Sequence, residues 1–138
     1  MTQAITFTIP GKPFGKQRPR AGLGRVYTPA ATVSFEQTVR ELAALQIRVP
    51  LEGPVRLTLE AVFVPAQSWS KKRRAAALGT LHTQKPDLDN IEKAILDGLN
   101  RIAFADDAQV ADVRKSKRWG ERAETIVTIE DLSGGAQP

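Results

Sequence analysis

Residues 85–100 read KPDLDNIEKAILDGLN, and the turn FADDAQ follows at residues 104–109. Pro86 favours an extended approach, and Asp89 with Glu92 has the spacing of a capping box, so we expect a helix to begin near Asp89. At about 100° per residue, this helix has one apolar face and one polar face. The apolar set is Leu88, Ile91, Ile95, Leu99 and Ile102, and the polar set is Asp89, Lys93, Asp97 and Asn100. The sequence therefore predicts that one face packs in the core while the other presents carboxylates and an amine.

The acidic side chains of this stretch stand out in an otherwise basic chain. Carboxylates that are brought close together repel, and a divalent cation relieves that repulsion. Hard oxygen ligands suit Mg²⁺ or Mn²⁺. A calcium EF-hand loop is excluded, because counting from Asp87 places Ile91 and Glu92 where a ligand and a glycine are required. The competing interpretation is an amphipathic helix whose polar face is merely solvated.

Composition limits the remaining possibilities. The chain has 138 residues, 41% of them hydrophobic, which suffices for one core, so we expect one domain over residues 1–138 with 132–138 as a flexible tail. Without cysteine, neither disulfides nor a thiolate zinc site is available. No long apolar run or signal-peptide pattern is present, so we expect a soluble, cytoplasmic protein. The net charge of +5 suggests a polyanionic partner.

The basic residues cluster around the acidic stretch in sequence. We predict that the DNA-contacting residues among them are Lys16, Arg18, Arg20, Arg25, Lys71, Lys72, Arg73, Lys115 and Lys117. The first four lie in 11–29, GKPFGKQRPRAGLGRVYTP, whose glycines and prolines predict a loop.

The hydrophobic patterns of the chain predict four strands and three helices. Strands are expected at 4–9, 55–64, 109–117 and 123–129, the last two as an antiparallel hairpin. Helices are expected from Thr32 or Ser34 to about Gln46, from Ser68 or Ser70 to near Gly79, and in the acidic stretch. The fold class is therefore α/β (α+β), with a small mixed or antiparallel sheet of about four strands and two or three helices. Trp69 is expected to be a packing anchor, and His82, the only histidine, is a candidate for contact with substrate or a catalytic water.

Taken together, KPDLDN, Lys93, ADDAQVADVRKSK and the N-terminal KQRPR with RVYTP resemble the RusA family of Holliday junction resolvases, small endonucleases common in phages and prophages. The resemblance covers roughly residues 5–130. It implies a compact α/β homodimer that cuts four-way DNA junctions with Mg²⁺ or Mn²⁺ during recombination and repair. By resemblance, Asp87, Asp89 and Asp107 are the metal-binding catalytic aspartates and Lys93 is the catalytic lysine. Asn90 and Asp106 match the family motif as neighbours of these residues, and His82 is also predicted to lie beside the site. The segment WSKKRRAAA lengthens the connection before the aspartates relative to the family's founding member.

Two alternatives remain open at this stage. The chain could be a basic module that binds branched nucleic acid without cutting it, its aspartates only capping a helix. It could also be a Mg²⁺-dependent nuclease with a broader range of DNA substrates, such as flaps or forks. Metal-dependent nicking of a synthetic junction, compared at fixed salt with nicking of forks and duplexes, separates these hypotheses.

Overall fold

The computed structural model describes residues 3–16, 20–22, 25–27 and 30–133, with the backbone alone described at 3, 20–22 and 25–27. In chain order the elements are β1 (Gln3–Pro10), β2 (Arg20–Gly22), β3 (Arg25–Tyr27), α1 (Ala30–Ala44), β4 (Val55–Phe63), α2 (Lys71–Ala77), α3 (Leu88–Leu99), a 3₁₀ turn (Asp107–Gln109), β5 (Val110–Trp119) and β6 (Glu124–Asp131). The predicted fold class is confirmed: a mixed four-stranded sheet packs with helices. The loop predicted over 11–29 is partly wrong, because β2 and β3 pair as an antiparallel ribbon within it.

The strand order is β1-β6-β4-β5, with β5 parallel to β4 and β6 antiparallel to both β1 and β4. The predicted hairpin between the last two strands is wrong, because β4 lies between them. The chain leaves β5 and crosses the end of β4, where Gly120 N–H donates to the Phe63 carbonyl at 2.8 Å. A Cβ at Gly120 would lie 2.5 Å from Val62 Cγ1, so the missing side chain permits the crossing.

Alternation along the strands places one sheet face in the core. In β4, Val55, Leu57, Leu59 and Ala61 are buried, and the residues between them are partly exposed. Their β5 partners include Val113 for Leu57, Lys115 for Leu59 and Lys117 for Ala61. Lys115 and Lys117 therefore project from the same face of the sheet that α1 and α3 cover. This placement is what brings both lysines to α3.

Helix α3 runs along the sheet from the Trp119 end of β5 towards its Val110 end. At its start, the Lys117 amine donates to the carbonyls of Gln84 and Pro86. After its end, Leu51 N–H donates to the Ala103 carbonyl at 2.7 Å, close to where β4 begins. The predicted apolar face is largely buried, with Ile91, Ile95 and Leu99 completely enclosed. The start of α3 and the end of β5 thus lie at one end of the sheet.

The predicted capping box at Asp89 is wrong. The N-cap residue of α3 is Asp87, with extended backbone angles and no side-chain cap hydrogen bond. The capping box lies instead at Asp106, whose carboxylate accepts from Ala108 N–H while Gln109 Oε1 accepts from Asp106 N–H. The carboxylate of Asp89, in the first turn of α3, is therefore available to pair with another side chain.

None of the helices in the described part of the chain combines the length and apolar character needed to cross a lipid bilayer. The tail prediction for 134–138 lies outside the described residues.

Candidate active site

Asp87, the last residue of the KPD turn (residues 85–87), and Asp89, in the first turn of α3, both have accessible carboxylates. The side chain of Asp87 is 56% exposed, and its two oxygens lie 3.1 and 3.2 Å from Lys85 Nζ. The side chain of Asp89 is 91% exposed. Because the unsatisfied N–H groups at a helix start attract negative charge, both carboxylates are favourably placed as anions.

Lys115 of β5 reaches the same turn and joins two acidic side chains. Its Nζ lies 2.8 Å from Asp89 Oδ1 and 2.5 Å from Glu92 Oε1. The hydrogen bond from Lys115 holds the pKa of Asp89 below its ordinary value, and the bonds to Asp89 and Glu92 raise the pKa of Lys115. Asp89 therefore stays ionised at neutral pH with an ammonium beside it. Any cation or phosphate that engages this turn must compete with or rearrange that pair.

Lys117 holds the backbone of the turn in place. Its Nζ donates to the carbonyl of Gln84 at 2.6 Å and to that of Pro86 at 2.9 Å. The sequence predicts DNA contact for both Lys115 and Lys117. The structure gives their amines partners within the chain, and a phosphate contact would require them to give up these bonds.

Lys93 lies one helical turn after Asp89 on the polar face of α3. Its amine is 3.2 Å from Asp97 Oδ1, and its side chain is 59% exposed. Asp97 is largely buried and also accepts from Lys16, whose amine lies 3.0 Å from Glu36 of α1. Although partial burial opposes it, hydrogen bonding to Asp97 and Glu36 raises the pKa of Lys16. Lys16, for which the sequence predicts DNA contact, thus ties α1 to α3 in this structure.

The second acidic pair belongs to the turn before β5. Gln109 fixes that turn, because its Nε2 donates to the Leu51 carbonyl at 2.9 Å and to the Gly53 carbonyl at 3.0 Å. Asp106 is occupied in capping the turn, whereas Asp107 is its first residue and is half-buried. The carboxylate of Asp107 therefore takes no part in capping this turn.

The two acidic segments lie beside different parts of β5 within one chain. Asp107 precedes Val110 at the start of the strand, whereas Asp89 contacts Lys115 about halfway along it, and these two strand positions are roughly 17 Å apart at about 3.3 Å per residue. Among the described residues, no three acidic or histidine side chains come together as a possible metal centre. The three aspartates expected to share a metal are thus not gathered within a single subunit.

The remaining predicted site residues fall into three groups. Lys71, Lys72 and Arg73 lie on the exposed helix α2, where the Arg73 guanidinium sits 3.7 Å from the Trp69 ring centroid. The side chains of Arg20 and Arg25 and the whole of Arg18 lie outside what the structure describes. His82 is buried, and the Asn90 carbonyl accepts from Lys16 N–H at 2.9 Å while the Asn90 side chain is exposed.

The family described as Endodeoxyribonuclease RusA matches residues 10–130, which include both acidic segments, Lys93 and the strands that place them. The chain belongs to the RusA endodeoxyribonuclease family. It is also 36% identical over 139 residues to a protein of Bacillus subtilis (strain 168) described as "Uncharacterized protein YqaN", covering 94% of this chain and 97% of that protein. The family match spans α3, β4 and β5, which carry the residues of the candidate site.

Two sets of contacts at this candidate site were not predicted from the sequence. The Lys93–Asp97 pair has the i, i+4 spacing that stabilises helices, so its signal was present in the sequence. The bonds from Lys115 to Asp89 and Glu92 had no such signal, because 26 and 23 residues separate the partners. Only the parallel pairing of β4 and β5 places Lys115 against the start of α3.

Proposed function

We propose that this RusA-family protein is a Mg²⁺-dependent endodeoxyribonuclease that resolves four-way DNA junctions by paired symmetric nicks. The observation that carries the proposal is the start of α3, where exposed Asp87 and Asp89 are followed one turn later by exposed Lys93, all within the region of the family match. Such an enzyme would act in recombination and repair in the cytoplasm of a bacterial or phage-infected cell.

The donors at this turn suit Mg²⁺ or Mn²⁺. Asp87 and Asp89 offer accessible carboxylate oxygens, and such ions are commonly held by one or two carboxylates together with waters and phosphate oxygens. When bound, the ion would lower the pKa of a water and stabilise negative charge on the phosphate. For Asp89 to hold the ion, its pair with Lys115 would have to open or rearrange.

The protein's own side chains supply position and charge. Asp87 and Asp89, positioned by the helix start and by Lys117, would hold the ion. The amine of Lys93, on the same exposed face, offsets negative charge that develops on the phosphate or assists proton transfer to the leaving oxygen. The ion pair with Asp97 restricts the position of the Lys93 amine to the surface of α3.

Asp107 is proposed to act in the active site of a second subunit. A four-way junction has an approximate two-fold axis and requires two symmetric cuts, which a two-fold dimer matches with one active site per cut. Among the described residues Asp107 does not come together with Asp87 and Asp89 as a possible metal centre, and the strand positions beside Asp107 and Asp89 are roughly 17 Å apart, whereas the ligands of one such ion lie about 2.0–2.1 Å from it. A two-fold operation that brings the start of one β5 beside the middle of the other would place each Asp107 near the other subunit's Asp89.

Substitution of single aspartates tests the catalytic assignment. Asp89→Asn and Asp107→Asn should each abolish Mg²⁺-dependent cutting of a labelled junction while binding persists or tightens, because a repulsive charge near the phosphates is removed. Glu52→Gln, an exposed acidic residue before β4, serves as the matched charge control and should cut normally. Retained cutting by Asp89→Asn would contradict the proposal.

Mixed dimers test the shared site. Co-expression of differently tagged Asp89→Asn and Asp107→Asn chains allows the mixed dimer to be purified away from both parents. If the site is shared, one site of the mixed dimer carries both substitutions and the other carries neither, so single nicks return without paired resolution. If each site were built within one chain, both sites would stay defective and no cutting would appear.

The choice of substrate separates the proposal from its alternatives. Junction, fork, flap and duplex DNA are compared at one salt concentration, because phosphate contacts make affinity depend steeply on ionic strength. Preferential cutting of the junction supports resolution, and equal cutting of forks or flaps indicates a broader nuclease. Binding without cutting under every metal condition would identify a non-catalytic module.

A further inference from the structure

A groove that the proposed mechanism does not use opens beside the KPD turn. Its inner part is a cavity of about 320 Å³ at the Trp119 end of the sheet, bordered by Lys12, Phe63, His82, Gln84, Lys85 and Trp119. A second cavity of about 450 Å³ shares Lys12 and Lys85 and extends to Pro86. The two cavities adjoin through these lysines, and Asp87 follows Pro86 directly. Both volumes lie in the range of about 300–1,000 Å³ typical of small-ligand sites.

The inner wall of the groove is aromatic. The ring of His82 stacks on Phe63 with centroids 3.8 Å apart, and the Trp119 ring lies 4.4 Å from His82. Both His82 and Trp119 are less than a tenth exposed, so a ligand would meet ring edges instead of a whole ring face. Recognition at such a wall depends on hydrogen bonds as well as on apolar contact.

His82 has a defined hydrogen-bonding edge. Burial, with contributions from the positive charges of Lys117 and Lys12, lowers the pKa of His82, so the ring is neutral at pH 7. Its Nδ1 accepts from Gln84 N–H at 3.3 Å, and in a neutral imidazole the proton therefore resides on Nε2. The structure thus fixes one ring nitrogen as an acceptor towards the chain and the other as a donor.

The opening of the groove carries two lysines, and backbone hydrogen bonds hold the loop on one side of it. Lys12 is exposed, and Lys85 is 85% exposed in its pair with Asp87. The loop that carries Lys12 is pinned on both sides, by Gly11 N–H to the Ala123 carbonyl at 3.0 Å and by Lys16 N–H to the Asn90 carbonyl at 2.9 Å. The backbone that carries Lys12 is therefore held beside Lys85 and Pro86.

We propose that this groove receives one unstacked nucleotide of the junction next to the scissile phosphate, with its base at the His82–Trp119 wall and its phosphate between Lys12 and Lys85. Unstacking a base costs least where pairing is already interrupted, as it is at a branch point. Ring edges with one fixed donor favour some bases over others, so the groove sets where along the strand the cut falls. This inference rests on the proposed junction-cutting function.

Base capture is measured directly with 2-aminopurine, whose fluorescence rises when it leaves the stack. Junctions that carry 2-aminopurine at successive positions near the branch point are bound to the Asp89→Asn protein, which is expected not to cut them. Fluorescence should rise at one position only, and adding Lys12→Ala or His82→Phe should remove the rise. Lys12 is exposed, and phenylalanine preserves the ring packing, so both variants should fold, which circular dichroism checks. Arg48→Ala, an exposed charge after α1, is the matched control and should keep the rise.

Cutting by the same substitutions in the otherwise unchanged protein provides the second readout. Lys12→Ala should raise KM roughly fivefold, the effect of losing one charge-assisted phosphate contact. His82→Phe should spread the cuts over neighbouring positions. Junction cutting with unchanged fluorescence at every position would overturn the groove inference and leave the proposed function intact. Absence of cutting by the unchanged protein would instead overturn the proposed function, and a position-specific fluorescence rise would then still establish base capture.

Discussion

The contact between α1 and α3 leaves no room for a side chain at Gly98. A Cβ at this position would lie 2.7 Å from Val39 Cβ, 2.8 Å from Val39 Cγ1 and 3.2 Å from the Glu36 carbonyl oxygen. Val39 is completely buried, and the carbonyl can move only if α1 moves. Gly98→Ala is therefore expected to push the two helices apart.

Two opposing effects set the magnitude of this change. Replacing glycine by alanine inside a helix stabilises by about 0.5–1 kcal/mol, whereas overpacking a filled core costs about 1–3 kcal/mol. Contacts below 3 Å against a rigid β-branched residue place the cost in the upper part of that range, so the protein should lose about 1–2 kcal/mol of unfolding free energy. For a chain of this size, that lowers Tm by roughly 3–8 °C.

Urea and thermal unfolding measure this loss of stability. Thr38→Ala, on the exposed side of α1, is the matched control, because it changes helix propensity without adding a buried atom and should leave stability the same or slightly higher. A Gly98→Ala protein as stable as the unchanged one would refute the close-approach argument.

Three further predictions concern charges around the proposed site. Lys117→Met should destabilise the fold by about 1–3 kcal/mol and slow cutting, because the Lys117 amine donates to two backbone carbonyls. The salt dependence of junction binding should not change. If the slope of log affinity against log salt concentration fell by about one, Lys117 would instead contact a phosphate. Asp97→Asn should lower kcat more than it raises KM, because Lys93 loses its carboxylate, and an unchanged kcat in single-turnover assays would show that Lys93 does not depend on it. In the folded protein the pKa of His82 is lower than its ordinary value of 6.5, so the unfolded chain binds the proton more tightly. The free energy of unfolding should therefore be highest above pH 6.5 and should fall as the pH drops through the folded pKa. Denaturation from pH 7 to 5 should show this loss, at most about 1.4 kcal/mol per pH unit, and His82→Phe should lack it.

Local patterns were sufficient for most of the elements. The alternation in 55–64 predicted β4, and Ser70 does cap α2, its side chain accepting from Arg73 N–H at 3.1 Å. The 3.6-residue period of the acidic stretch predicted which side of α3 is buried. Trp69 packs against the core as expected, edge-on to Trp119 at 5.1 Å. The strand, the cap and the buried helix face each depend on neighbours within a few residues, whereas the contact of Trp69 with Trp119 depends on the fold.

Partners distant in sequence required the folded chain. The hairpin prediction failed because short connections usually join neighbouring strands, whereas here Gly120 lets the chain cross β4. The capping prediction failed because Asp87 and Asp89 both offer a carboxylate near the helix start, and sequence spacing alone favoured the wrong one.

By itself, the sequence determined the chemistry available to this protein: accessible aspartates and a lysine on one helix, basic segments around them, and a pattern that placed the chain in its family. Only the tertiary structure decided which of those charges meet. The parallel pairing of β4 with β5 directs Lys115 and Lys117 to the start of α3, whereas Asp107 lies just before the start of β5. The physical reason is that a strand advances about 3.3 Å per residue, so strand register, which no local pattern encodes, fixes the distances between charges.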